Sequence, residues 1–343
     1  VIRYSSLAST NVSWEISTKQ DLGIDFSLFN DKLTGEIDYY KEKREGIYME
    51  RAYLPWIVGL ESKPSANVGV VKAEGFDGRF TFKQKVDKVN LTIRGNMTYG
   101  KNEIVERDEE NSIYWYKMQE GHRVNQAMGL VSLGLFKDYE EIRNWPKQFG
   151  EVMPGDIKYK DINGDGVIDD NDKVAIGSTT KPNFTFGASA QWKGLDASVH
   201  FQGVGKSSYF INGSTVYMFS GGDGWGNVLK EMANSNRWVL GVNEDPNADY
   251  PRLTYGNNSN NNRASAFWLR NGSYLRLKTL DVGYSLPTAL VRKAHLNKVR
   301  FFFTATNLLT FSSFKLWDPE MGSSDGKKYP LNKTFSLGVS VNL

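Results

Sequence analysis

Leu91-Thr92-Ile93-Arg94-Gly95-Asn96-Met97-Thr98-Tyr99 alternates apolar and polar side chains, with only Gly95 out of step. Together with Val89 and Asn90, one face carries Val89, Leu91, Ile93, Met97 and Tyr99, and the other Asn90, Thr92, Arg94, Asn96 and Thr98. A period of two places successive side chains on opposite sides of a strand, so this stretch is a strand with two chemically different faces. The pattern recurs in both directions. Upstream, Leu22, Ile24, Phe26 and Leu28 alternate with Gly23, Asp25 and Ser27; after Asn30-Asp31-Lys32 the chain returns with Leu33, Ile37 and Tyr39 against Thr34, Glu36 and Asp38. Downstream, Phe184, Phe186, Ala188, Ala190 and Trp192 oppose Thr185, Ser189 and Gln191. Past Lys193-Gly194, Leu195, Ala197, Val199 and Phe201 oppose Asp196, Ser198, His200 and Gln202. Near the end, Phe335, Leu337, Val339 and Val341 oppose Thr334, Ser336, Ser340 and Asn342.

The alternation predicts nine strands, near residues 14–29, 33–46, 67–85, 88–100, 183–193, 195–207, 267–285, 297–311 and 333–343. Within 274–284 the apolar phase shifts, and a β-bulge near Lys278 restores it. Connections near 30–33, 86–88 and 193–195 are tight and 286–296 is modest, whereas 47–66, 101–182, 208–266 and 312–332 are long. Long and short connections alternate, so the long ones lie at one end of the sheet. A soluble β-sandwich also alternates, with its apolar face turned inward, but nothing in it demands that every long loop share one end. A transmembrane barrel demands both properties: short periplasmic turns, long outer loops, an apolar face to lipid and a polar face to the lumen. The expected fold is therefore all-β, an antiparallel transmembrane β-barrel segment. Bacterial barrels close with an even strand number, so the barrel needs strands beyond these nine.

Composition agrees. The chain has 343 residues with 33 Gly, 17 Tyr, 19 Phe and no Cys, which favours β structure and excludes disulfides and thiolate metal sites. With 42 basic and 39 acidic residues no field for nucleic acid arises. No run of about 18 apolar residues suggests a membrane helix, whereas barrel strands need only about 10 alternating residues each. The chain opens at Val1 rather than Met, and is read as part of a longer or processed polypeptide.

Residues 161–172, Asp-Ile-Asn-Gly-Asp-Gly-Val-Ile-Asp-Asp-Asn-Asp, carry oxygen side chains at the spacing of an EF-hand-type calcium loop. Asp161, Asn163 and Asp165 would present side-chain oxygens and Val167 its carbonyl. Gly166 permits the turn, Asp169 would act through a water and Asp172 would close the shell. Position twelve is Asp rather than the longer Glu, and a solvated Asx-turn loop uses the same residue types. A structural Ca2+ is the expectation, remote from any substrate.

The long loops also hold aromatic residues, of which Trp115, Trp145, Trp225 and Trp317 are candidates for stacking on a substrate. The Gly-rich run 221–226 and the Asn-rich run 257–262 read as mobile loop tips. Catalytic motifs are weak. Gly203-Val204-Gly205-Lys206-Ser207 lacks the first Gly of a phosphate loop, His122, His200 and His295 are far apart, and Ser312 with Lys315 has no companion motif. No enzymatic activity is expected.

Several segments resemble the SusC/RagA-type TonB-dependent outer-membrane transporters, in the C-terminal portion of the barrel. They run from Asn11-Val12-Ser13-Trp14-Glu15 through Leu22-Gly23-Ile24-Asp25-Phe26, Leu33-Thr34-Gly35-Glu36-Ile37-Asp38-Tyr39-Tyr40, Asn67-Val68-Gly69-Val70-Val71 and Gly75-Phe76-Asp77. They continue with Pro154-Gly155-Asp156-Ile157-Lys158-Tyr159-Lys160-Asp161, Pro251-Arg252-Leu253, Asn271-Gly272-Ser273-Tyr274-Leu275-Arg276-Leu277-Lys278, Asn307-Leu308-Leu309-Thr310 and Asp318-Pro319-Glu320. The resemblance implies a 22-stranded plugged barrel whose N-terminal plug has no counterpart in residues 1–343. It further implies a location in the bacterial outer membrane and energy-coupled import of oligosaccharides or oligopeptides rather than metal chelates. The partners it implies are a SusD-like surface lipoprotein over the outer loops, the remainder of the transporter chain, the TonB complex and outer-membrane lipid. The alternative set beside it is a soluble secreted calcium-binding adhesion or glycan-binding module.

Overall fold

The computed structural model describes residues 9, 11–52, 57, 62–109, 112–177, 181–220, 226, 228–234 and 236–342. Nine long strands form one antiparallel sheet in simple sequence order. They are β1 (Ile16–Leu28), β2 (Leu33–Glu50), β3 (Ser65–Val86), β4 (Val89–Glu106), β5 (Asn183–Trp192), β6 (Leu195–Val204), β7 (Tyr274–Ser285), β8 (Lys298–Ser312) and β9 (Thr334–Asn342). Each pairs with its neighbour in the chain, and β1 and β9 are the two edges. No helix among the described residues is long and apolar enough to cross a membrane, which says nothing of strands.

Register makes the two faces continuous. Ile24 lies opposite Ile37, Tyr39 opposite Phe76, Phe76 opposite Tyr99, Met97 opposite Phe184, Phe186 opposite Phe201, Ala197 opposite Val282, Val282 opposite Phe303 and Phe303 opposite Leu337, so the apolar sides of all nine strands join into one surface. These side chains are exposed: Leu22 by 70%, Phe335 by 61% and Leu337 by 85%. So wide an apolar face left open on a well-ordered sheet marks contact with something other than water. Gly95, the one residue out of step in the opening stretch, is filled from next door. A Cβ there would stand 2.7 Å from the Phe80 ring, which lies across the gap.

The opposite face is polar and internally paired. Arg79 bonds Glu36 at 2.6 Å, Thr185 bonds Asn96 at 2.9 Å, and Arg300 holds Asp196 at 2.5 Å while also bonding Asp281. Short connections suit their turns: Lys193 and Gly194, both at positive φ, make the tight primed turn that matches strand twist. Against β6, His200 pairs with Thr279 and Phe201 with Leu277, so the extra residue of the bulge is Lys278, where the phase change in the sequence required it.

Two expectations are corrected. Strand 267–285 is not continuous: Ala266–Trp268 is a 3-10 turn, Leu269–Asn271 pairs with Ser208–Phe210, and the sheet strand starts at Tyr274. Gly272 makes the break, donating its N–H to Ser207 and leaving room where a Cβ would meet the Tyr209 ring at 2.6 Å. The second correction concerns length, because β2, β3 and β4 run past the expected ends to Glu50, from Ser65 and to Glu106. Beyond the row Tyr39–Phe76–Tyr99 their outward side chains become ionic. Lys101 pairs with Glu74 at 2.7 Å and Lys72 with Glu103 at 3.2 Å. With charged side chains outward and Asn102 beside Ala73 on the other face, the period-two signal fades while the strands continue.

Candidate functional site

The long loops after β4, β6 and β8 leave the same end of the sheet and pack into one body. Its core joins Leu130, Leu135, Ile157, Tyr159 and Ile168 from the loop after β4, Ile211, Val216, Met232, Trp238 and Trp268 from the loop after β6, and Phe314 from the loop after β8. The interior is also held by polar groups. Asp156 is fully buried and meets Arg252 at 2.7 Å, accepts from Asn261 at 2.8 Å and Asn258 at 3.2 Å, and accepts the Met153 N–H at 2.9 Å. Gln148 donates to the Ile157 carbonyl and to Asn260, while Asn261 accepts from the Ile157 N–H. A carboxylate this deep is tolerated because charge and hydrogen bonds meet it on several sides.

The network corrects one expectation and explains several motifs. The Asn-rich run 257–262 is no mobile tip: Asn260 is fully buried and Asn261 3% exposed. An amide both donates and accepts, so asparagines can answer the backbone of a neighbouring loop. In Pro154-Gly155-Asp156, Gly155 has φ +84 and passes under Trp238, where a Cβ would sit 2.3 Å from the indole, and Asp156 supplies the buried charge. Pro251-Arg252-Leu253 supplies its partner. Asp318-Pro319-Glu320 reaches back to the wall: Arg276 of β7, 1% exposed on the polar face, bonds Asp318 at 2.5 Å and meets Glu320 at 3.3 Å, and Lys278 meets Glu320 at 3.2 Å. The loop after β8 is thereby tied across the mouth end of β7. Neither Asp156 nor Arg276 was a candidate from residue pattern alone; the motifs containing them were the available signal.

In the loop 161–172, Gly164 and Gly166 take positive φ with open space around them, so the backbone course is what requires glycine. Ile168 anchors the loop, 1% exposed and bonded through its N–H to the Lys147 carbonyl at 2.8 Å. The carboxylates face their own backbone. Asp161 accepts from the N–H groups of Gly164 and Gly166, Asp165 from Val167 and the Asn163 amide, and Asp169 from Asn171. Asp172 is fully buried and accepts from Ile162 at 2.7 Å and Asp169 at 2.8 Å, joining both ends of the loop. Val167 is exposed. The donors suit calcium in kind, all oxygen; here the carboxylates are turned to the loop's own N–H groups, and among the described residues no group of three or more His, Cys, Asp or Glu side chains is gathered together.

The candidate tryptophans fall in different places. Trp145 donates its indole N–H to the Tyr159 carbonyl at 2.9 Å and packs on the loop core. Trp317 donates to the Ser323 carbonyl at 3.0 Å and meets Phe314 edge-on. Trp115 is 79% exposed. Trp225 lies outside the described residues. Burial pushes the phenol of Tyr159 upward and that of Tyr217 up to about 12, so both stay protonated in this core.

An apolar band facing outward, a polar inner face and long connections gathered at one end define an outer-membrane β-barrel protein. No protein-family model matches the chain. It is 27% identical over 360 residues to a TonB-dependent receptor of Formosa agariphila, covering 97% of this chain and 35% of that protein. With the TonB-dependent receptor SusC of Bacteroides thetaiotaomicron it shares 24% over 351 residues, 96% of this chain and 32% of that one. Among solved structures, the RagAB peptide importer in its open-open state superposes with a TM-score of 0.73 at 22% identity, covering 97% of this chain and 35% of that one. By sequence the chain is similar to these TonB-dependent receptors, and its fold is that of barrel wall and outer loops as in the RagAB importer. It spans about a third of the length of the curated relatives it matches.

Proposed function

We propose that this chain supplies wall and mouth to an energy-coupled importer of oligosaccharides or oligopeptides across the bacterial outer membrane. A SusD-like surface lipoprotein would sit over the outer loops, and the TonB complex would act through parts of the protein beyond these residues. One observation carries the reading: a two-faced sheet whose long connections after β4, β6 and β8 pack into a single body at one end, tied back to the polar face through Arg276. Such a body can gate a polar conduit, while the apolar face seats the wall in lipid. The similarity to proteins named as TonB-dependent receptors, and the likeness in fold to a peptide importer, support import over a soluble calcium-binding module. Oligosaccharide is the first choice of substrate, because neutral polar and aromatic residues outnumber charge clusters in the loops, and Trp115 offers an open ring. Uptake of labelled oligosaccharides and oligopeptides by cells with and without the intact gene tests this. Uptake should vanish on deletion and on collapse of the proton-motive force; transport restricted to metal chelates, or indifferent to the uncoupler, would overturn it.

We propose further that calcium organises the loop 161–172. Support comes from the register of Asp161, Asn163, Asp165, Asp169 and Asp172 and from the two glycines at positive φ. The ion would draw carboxylates away from the N–H groups they now accept from, and stiffen a loop already anchored by Ile168.

A further inference from the structure

A cavity of about 330 Å³ opens where the loop after β4 meets the loop after β6. Met153, Leu240 and Leu253 give it an apolar wall that is open to solvent, Leu240 being 72% exposed. Apart from the Tyr139 hydroxyl, its polar side chains carry only N–H donors: Arg237, Trp238 and Arg252. Arg252 is already answered by Asp156, which accepts from its Nη2 at 3.1 Å. The other two are not. Trp238 is 4% exposed and its Nε1–H has no acceptor, and the Arg237 side chain makes no ion pair or hydrogen bond among the described residues, its Nε being buried and unpartnered. Buried donors are ordinarily paired, so two adjacent ones without acceptors beside an open cavity call for an acceptor from outside.

We propose that this cavity binds a carboxylate joined to a short apolar group. The carboxylate would take charge-assisted bonds from Arg237 and a bond from Trp238 Nε1, while its apolar part lies along Met153, Leu240 and Leu253. One unpaired cation among apolar walls suits a single negative charge better than a doubly charged phosphate. The planar guanidinium fork matches a carboxylate. The volume is at the small end for ligand sites, roughly 300–1,000 Å³, which fits one or two residues of a peptide or a short fatty acid. Both sources present the same chemistry, and neither depends on the import reading, because the site is defined by binding and not by transport.

The test is calorimetric titration of the intact detergent-solubilised transporter with acetyl-leucyl-leucine, its C-terminal amide, and hexanoate. The peptide acid should bind about ten-fold or more tighter than the amide, and in Arg237→Gln that preference should fall below about two-fold. Leu240→Glu should remove binding of acid and amide alike, which locates the site. Hexanoate binding as well as the acid marks a fatty acid as the source; binding of the peptide acid alone marks a peptide C-terminus. Equal affinity for acid and amide would make the cavity a plain apolar docking surface and overturn the proposal. So would the absence of binding by every probe, or a preference that survives Arg237→Gln. The acid–amide comparison on the unaltered protein holds even if a variant fails to fold.

Discussion

The wall and the outer-loop body use the same residue types in opposite ways. In the wall Leu337 is 85% exposed and Trp192 48%; in the loops Leu130 is fully buried and Trp268 1% exposed. The wall gains nothing from water and is completed by lipid, whereas the loops face water and must build a core of their own. An exposed leucine therefore means nothing until the solvent on that side is known. The two regions should then fail separately: a lesion in the loop core should leave the wall seated, and a charge on the wall's outer face should unseat it while the mouth keeps its packing.

The largest separation is expected at Asp156. Asp156→Ala leaves Arg252 buried without its partner and strips acceptors from Asn258 and Asn261. Breaking one side of a buried pair costs about 3–5 kcal/mol. Limited proteolysis of the detergent-solubilised protein should then cut within 107–182 and 205–273 while the wall resists. Intact loops under those conditions would mean that the polar network is dispensable and that the apolar core alone holds the mouth.

On the wall the contrast lies between neighbours in sequence. Ile93→Arg or Val339→Arg, on the outward face, should cost about 2–4 kcal/mol near the bilayer midplane. Thr92→Arg, one residue along and on the lumen side, should be milder, since Thr92 stands between Lys83 and Ser189 on a polar surface. Folding into lipid vesicles under a urea gradient reads both. Equal damage at Ile93 and Thr92 would mean that the faces are reversed or that both are buried.

The comparison also explains what could be read from residues alone. In the wall each strand pairs with the next in the chain, so register follows from local alternation, and even the bulge at Lys278 shows as a phase change between Leu277 and Leu280. The strand ends above Tyr39 and Tyr99 were invisible because Lys, Glu and Asn on both faces erase the period. In the loops, contacts join residues far apart: Asp156 with Arg252 across 96 positions and Gln148 with Asn260 across 112. No periodicity encodes such pairs. The run 257–262 misled for a related reason, since asparagine suits a solvated turn and a buried network equally well. The spacing of Asp161 to Asp172 was legible, but whether its oxygens serve backbone or ion was not, because both uses favour the same residues.

That ambiguity gives the next prediction. If calcium organises 161–172, the ion at about 100 times its dissociation constant should stabilise the loop body by about 2.7 kcal/mol. Asp161→Ala combined with Asp165→Ala should abolish that gain and weaken docking of the surface lipoprotein, with the wall's melting unchanged. A loop transition that is identical with calcium and with chelator would show that the N–H bonds now made to these carboxylates suffice.

The smallest effect distinguishes the two regions by pH. Tyr217 packs edge-on against Trp268 with ring centroids 5.3 Å apart, and burial pushes its phenol up to about 12. In the unfolded chain the same group ionises near its ordinary value of about 10. A raised folded value means that the stabilisation is complete below about pH 10 and is lost as pH climbs towards 12, because the unfolded state releases the proton first. By pH 10.5 the loop body should have lost on the order of 1 kcal/mol from this residue. Apart from Tyr39, Tyr99 and Tyr284, the outward band of the wall is mainly Leu, Ile, Val and Phe, which do not titrate, and it holds no phenol packed in a protein core as Tyr217 is, so its transition should move less over the same interval. Tyr217→Phe keeps the ring against Trp268 and removes the proton, so tryptophan fluorescence melts of that variant should show a flatter profile between pH 9 and 11. A variant profile as steep as that of the unaltered protein would assign the alkaline loss to other groups, and would remove Tyr217 as the reason the mouth yields to base before the wall.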